Sequence, residues 1–178
     1  VMRELWTTSN GEEINLELYY HPKHTYNLDR MMLGMKDALG YYDQHFSPYQ
    51  YRQMRILEFP RYSSFAQSFA NTVPFSAGMG FILAMDEDDV DMAYYVTAHE
   101  MAHQWWGHQV TEASVKGNAM LSETMSQYSA LMVMKHRYPQ EMMQKFLSYE
   151  LDRYLSGRAS ETKKEQPLEL VEGQGYIH

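Results

Sequence analysis

The stretch His99-Glu100-Met101-Ala102-His103 decides how this chain is read. On an α-helix, residues four apart lie one above the other on the same face. His99 and His103 therefore present two imidazoles one turn apart, the spacing at which two ring nitrogens hold a single Zn²⁺. Composition alone gives only about 0.03 such pentads per chain of this kind. Glu100 is rotated by about 100° from His99 and so lies beside the metal rather than on it. From there its carboxylate can take a proton from a metal-activated water, acting as a general base.

A catalytic zinc needs a third protein ligand and one open position. Glu123 is the candidate, early in the next helical pattern, with Gln127, Leu131 and Met134 continuing a similar face. A helix–loop–helix hairpin of this length can return its carboxylate to the two imidazoles. Glu112 is the weaker competitor, because it falls in the connection. His108, five residues beyond His103, turns away from the pair on an ideal helix and reads as structural or solvent-facing. His21, His24, His45 and His136 read the same way.

Working outward, the acidic run from 86 to 91 lacks the glycine and closing glutamate of an EF-hand loop. It reads instead as a helix N-terminus, where carboxylates cap free N–H groups and oppose the dipole. Helices are then expected over about 90–108, 119–138 and 140–156, the last bounded by Pro139 and Gly157. Upstream, Ile14, Leu16 and Leu18 alternate with polar residues as in a half-buried strand. Leu28, Met31, Met32, Met35, Leu39 and Tyr42 recur at helical spacing over 27–45. Further strands are expected over 52–59 and 81–85. Strands come first and helices later, which gives an α+β class: a single domain over 1–178, strand-rich over 1–85 and helical over 86–178.

The 178 residues suffice for one core, and 14% aromatic content excludes disorder for most of the length. No cysteine is present, so disulfides, thiolate metal sites and cysteine nucleophiles drop out. A net charge of −8 disfavours a nucleic-acid partner. No apolar run reaches the roughly 18 to 20 residues of a membrane helix, so no membrane contact is expected of this piece. It opens on Val1 and stops on Tyr176-Ile177-His178, which reads as a fragment of a longer chain.

Extended to His99-Glu-Met-Ala-His-Gln-Trp-Trp-Gly-His108, the pentad resembles the zinc helix of the aminopeptidase N-like metallopeptidases, His-Glu-Leu-Ala-His-Gln-Trp-Phe-Gly-Asn. Leu121-Ser-Glu-Thr-Met-Ser-Gln-Tyr128 is similar to the family's Leu-Asn-Glu-Gly-Phe-Ala-x-Tyr, which makes Glu123 the counterpart of the ligand glutamate. The segment from Leu39 to Phe59 is similar to the helix and strand that open the family's catalytic domain. The resemblance implies a thermolysin-like catalytic domain, one zinc on His99, His103 and Glu123, and a peptide substrate hydrolysed with Glu100 as base. A narrower likeness, to bacterial peptidase domains joined to transporter-permease-like segments, implies a membrane-attached parent with this domain on the extracytoplasmic side, while the compartment itself stays open.

Three departures from the family pattern shape the expectation. Nineteen residues rather than the usual eighteen separate His103 from Glu123. The Gly-x-Met-Glu-Asn strand, whose glutamate grips a free N-terminus, aligns with Pro74-Phe-Ser-Ala-Gly-Met-Gly80 and puts Ala77 at the glutamate's place. The Tyr-x-Lys-Gly element of the transition-state tyrosine is absent, so that tyrosine either follows His178 or is Tyr176. The alternatives to an aminopeptidase-like enzyme are a thermolysin-like endopeptidase, favoured by Ala77, and a non-catalytic module derived from a metallopeptidase.

Overall fold

The computed structural model describes residues 1–86 and 88–171. A mixed sheet of four strands, β1 (Met2–Thr7), β2 (Glu13–Tyr19), β3 (Gln53–Phe59) and β4 (Thr72–Ser76), runs in the order β1-β2-β3-β4. β1 and β2 are antiparallel, whereas β2 with β3 and β3 with β4 are parallel. The β2–β3 crossover is the helix α1 (Leu28–His45), as a parallel pair requires. The register aligns Leu16 with Met54 and Leu18 with Ile56, and Ile56 with Val73, so one face of the sheet is continuously apolar. These side chains are buried together with Met31, Met32, Met35, Leu39 and Tyr42 of α1.

Helix α2 (Met92–Ala102) packs against α1 and, on its other side, against α3 (Met125–Arg137). Asp91 caps α2 by accepting from the Tyr94 N–H at 3.0 Å, as the acidic run foretold. Its Oδ2 is also held by Arg30 Nη1 at 2.6 Å and Tyr138 Oη at 2.8 Å, which ties the start of α2 to α1 and to the end of α3. Gly34 lets α1 and α2 approach closely, for a Cβ there would lie 3.1 Å from Tyr94 O. The peripheral α4 (Gln140–Ser160) buries Met143 and Phe146, the latter against Tyr95 with ring centroids 4.4 Å apart.

Several expectations are corrected. Residues 81–85 form no strand: Phe81 is buried in a turn whose carbonyls at Gly80 and Leu83 accept from Asn27 Nδ2. The strand lies earlier, at β4, where Pro74 disguises the alternation of buried Val73 and Phe75. β1 escapes pattern reading because its inward-facing side carries Glu4 between Met2 and Trp6, with Glu4 neutralised by Lys36. α2 ends at Ala102 rather than near 108, because the chain tightens there, with Trp105 and Trp106 N–H groups both donating to Ala102 O. The helix expected from 119 begins as a π-helical turn, Met120–Thr124, and α4 runs through Gly157. Among the described residues no helix is long and apolar enough to cross a membrane.

Candidate active site

His99 and His103 leave the last turn of α2 on one side, and the π turn before α3 brings Glu123 to them. His99 Nε2 and His103 Nε2 are 3.1 Å apart, and Glu123 Oε2 lies 3.4 Å from the first and 3.5 Å from the second. Two ligands about 2.0 to 2.1 Å from one ion in tetrahedral geometry are separated by about 3.3 to 3.4 Å. All three edges of the donor triangle are near that value, so the residues present fit a single zinc. Among the described residues these are the one His/Asp/Glu group close enough to share an ion. π turns recur at functional sites because the wider turn redirects a side chain, and Glu123 sits within this one.

The ring orientations suit the same role. His103 Nδ1 lies 3.1 Å from Trp106 O and 3.1 Å from Ser126 Oγ. Donation from Nδ1–H to the carbonyl leaves Nε2 as the free lone pair facing the metal position. His99 Nδ1 is buried without a partner. Trp106 is itself fixed by its indole N–H, which donates to Ser129 Oγ at 3.0 Å.

Electrostatics follow from the crowding of these groups. Hydrogen bonds from His103 and His99 hold the Glu123 carboxyl well below the usual carboxylate range, against the effect of its burial. Burial by itself would lower the His103 pKa, but the Glu123 carboxylate beside it outweighs that and raises it. Glu100 is 6% exposed, and burial pushes its carboxyl up, opposed by the neighbouring imidazoles of His99 and His103. The backbone amide of Ser68 also acts on this carboxylate and favours the ionised form.

A cleft of about 760 Å³ opens beside these groups. Its floor is Tyr95, Val96, His99 and Glu100 of α2. One wall is Ser64, Phe65, Ala66 and Met79, and the other includes Gln127, Glu150 and Arg153. A smaller lobe of about 250 Å³ is bordered by Ser68, His103, His108, Glu112 and Ser122. His108 and Glu112 thus border the site, contrary to the ideal-helix argument, because α2 has already ended. Neither joins the donor triangle.

The first wall corrects a second expectation. Residues 65–69 fold back antiparallel on β4, with Gln67 N–H donating to Pro74 O and Ser76 N–H to Phe65 O. This hairpin strand, not the end of β4, is the sheet edge beside the donor triangle. Ala77 is 2% exposed, donates its N–H to Phe59 O and does not border the cleft. The edge carries Ser64, Phe65, Ala66, Gln67 and Ser68, and no carboxylate. Tyr176 lies outside the described residues.

The known proteins that this chain is similar to are peptidases. The sequence model of the peptidase family M1 domain matches residues 31–174. Two curated relatives, each called probable aminopeptidase 1, come from Sulfurisphaera tokodaii and Saccharolobus solfataricus. They are 28% and 26% identical over 109 residues, or 59% of this chain and 14% of theirs. Among solved structures, aminopeptidase A of Legionella pneumophila in complex with aspartic acid superposes with a TM-score of 0.64 at 24% identity, covering 76% of this chain and 16% of that one. An M1 zinc metallopeptidase from Deinococcus radiodurans gives a TM-score of 0.60 at 18% identity, covering 94% of this chain and 34% of that one. The chain therefore spans a small part of the length of these relatives.

Proposed function

The chain belongs to peptidase family M1, and from that premise we propose that it is the zinc-binding part of a peptidase that hydrolyses peptide bonds, with His99, His103 and Glu123 as ligands and Glu100 as general base. The observation that carries this reading is the convergence of three donors within 3.1 to 3.5 Å beside a cleft that Glu100 also borders. When bound, zinc supplies Lewis-acid polarisation of the scissile carbonyl and acidifies the attacking water.

The protein's own groups do the rest. Glu100 accepts the proton of the attacking water and returns it to the departing amine. Its buried setting raises its proton affinity toward the range where both transfers are efficient at neutral pH. Trp106 O keeps the His103 ring in one tautomer and orientation, so the ligand geometry is set before substrate arrives. Phe65, Met79 and Val96 give the cleft apolar surface against which peptide side chains can exclude water.

The aminopeptidase names of the relatives support release of N-terminal residues. The cleft edge supports a second reading, cleavage within longer peptides, since residues 64–68 offer no carboxylate to a terminal ammonium. Replacing Glu100 by Gln in the full-length protein tests the assignment: one zinc should remain and peptide turnover should be lost. Full metal content with unchanged turnover would remove Glu100 from the mechanism.

A further inference from the structure

Gln104 directly follows the second histidine, is wholly buried, and has no place in the donor triangle. Its side chain reaches across to the cleft-edge hairpin rather than into its own helix. Nε2 donates to Ser68 Oγ at 2.6 Å and to Phe69 O at 2.8 Å, while Oε1 accepts from the Asn71 N–H at 2.9 Å. Both amide hydrogens and the carbonyl are thereby used, on Ser68, Phe69 and Asn71 of one turn. The turn is an unusual one, because Asn71, though not a glycine, has a positive φ of 52°. Its side-chain Oδ1 accepts from Gln53 Nε2 at 3.1 Å, which fastens the same turn to β3.

The hairpin's pairing decides which way its backbone groups point. Gln67 and Phe69 donate their N–H groups to Pro74 O and Thr72 O, so these odd-numbered positions face β4. Alternation along an antiparallel strand turns the Ser68 N–H the other way, away from β4 and toward the small lobe of the cleft that Ser68 and Glu100 both line. Gln104 follows the end of α2, four residues beyond Glu100. One side chain therefore grips the hairpin, and the hairpin borders the same lobe as the other.

We propose that Gln104 is a positioning residue: by pinning the 68–71 turn to the end of α2 it holds the Ser68 backbone amide against Glu100 and so fixes the orientation of that carboxylate. This rests on the reading of Glu100 as the general base. An amide suits the position, since it alone supplies donors to Ser68 Oγ and Phe69 O together with an acceptor for Asn71. Leucine has similar size and offers none of these; glutamate keeps the acceptor and loses the donors.

The test uses the full-length protein and compares wild type with Gln104→Leu, Gln104→Glu, Ser68→Pro and Glu100→Gln. Zinc content, amide hydrogen exchange of the peptide spanning 65–72, and kcat and KM on a peptide the wild type cleaves are measured for each. Gln104→Leu and Gln104→Glu should retain one zinc, exchange faster over 65–72 in both metal-free and zinc-loaded protein, and lose about 10- to 100-fold in kcat with KM changed by less than about threefold. Ser68→Pro removes the amide donor and leaves Gln104 its bonds to Phe69 and Asn71. It should reproduce the loss in kcat while speeding exchange at the turn less than Gln104→Leu does, and it decides the question if Gln104→Leu does not fold. Wild-type kcat in Ser68→Pro, or faster exchange with unaltered kcat in either Gln104 variant, overturns the proposal. Unchanged turnover in Glu100→Gln would instead overturn the base assignment on which it rests, and the exchange data distinguish the two failures.

Discussion

The contact between α1 and α2 at Gly34 makes a quantitative test of how the helix that carries His99 and Glu100 is seated. A Cβ at this position would lie 3.1 Å from Tyr94 O and 3.2 Å from both Cβ and Cγ2 of Thr97. Carbon atoms settle at separations of about 3.5 to 4.0 Å, so α2 would have to retreat. Neither neighbour yields easily. Thr97 is held by its hydroxyl, which donates to Ala93 O at 2.7 Å, and Tyr94 is wholly buried with its hydroxyl donating to Asp37 Oδ2 at 2.8 Å. Gly34→Val places a branched side chain where even one carbon is tight, and overpacking of this kind costs about 1 to 3 kcal/mol. The better helix propensity of valine offsets only a few tenths of a kcal/mol. For a chain of 178 residues each kcal/mol moves Tm by roughly 2 to 4 °C, so a drop of roughly 1 to 11 °C is expected from circular-dichroism melts in chelator. Because Thr97 is two residues before His99, the displacement should also weaken zinc binding in a chelator competition. In a Gly34→Ala background, Thr97→Ser removes Cγ2 and keeps the hydroxyl bond, and should recover about 0.5 kcal/mol or more as a coupling energy. A Tm equal to or above the parent's in Gly34→Val would refute the claim that the two helices are in hard contact here.

Zinc affinity should rise with pH across the neutral range. The His103 pKa is raised in the metal-free protein, so its imidazolium stabilises the fold below the unfolded pKa, that stabilisation fades as pH climbs through the folded value, and a proton must leave before zinc binds. Glu123, whose pKa is depressed, stays ionised throughout and adds no slope; a pH-independent affinity between about pH 5.5 and 8 would contradict this. Chelation should abolish turnover of the full-length protein and one equivalent of zinc should restore it, with His103→Ala preventing the rescue; activity persisting after metal is stripped would end the metallopeptidase reading. Peptides with acetylated N-termini should be cleaved at rates within about two orders of magnitude of unblocked ones, since each missing charge-assisted bond to an ammonium is worth about 1.5 to 3 kcal/mol. An aminoacyl fluorogenic substrate compared with an internally quenched acetylated peptide decides this, and zinc-dependent cleavage of the unblocked one alone would point to another carboxylate, such as Glu150 of the facing wall.

What the sequence determined by itself was chemical and local. Four-residue spacing within one helix put His99 and His103 on a common face, and the apolar period of α1 and the alternation of β2 marked their buried sides, because helix and strand geometry convert spacing directly into direction. The candidate donor types and the neighbouring acid were likewise readable, and so was the acidic run before α2 as a capping segment. What the sequence could not decide was anything that depended on where α2 stops or on which segment forms the sheet's edge. His108 and Glu112 entered the site's border because the helix ended at Ala102, a consequence of Trp105 and Trp106 docking on residues far along the chain. Ala77 lost its expected place because the 65–69 strand covers β4, through pairings that no local period encodes. Gln104 stood within the segment that resembles the family's zinc helix, but nothing in its local pattern pointed to its partners. Its partners lie more than thirty residues away, and only the packing of the hairpin onto the helix end brings them within hydrogen-bonding reach. The donor atoms were thus written in the sequence, whereas their separation of 3.1 to 3.5 Å was set by how α2 and the π turn pack together, since distances between elements arise from contacts summed over the whole core.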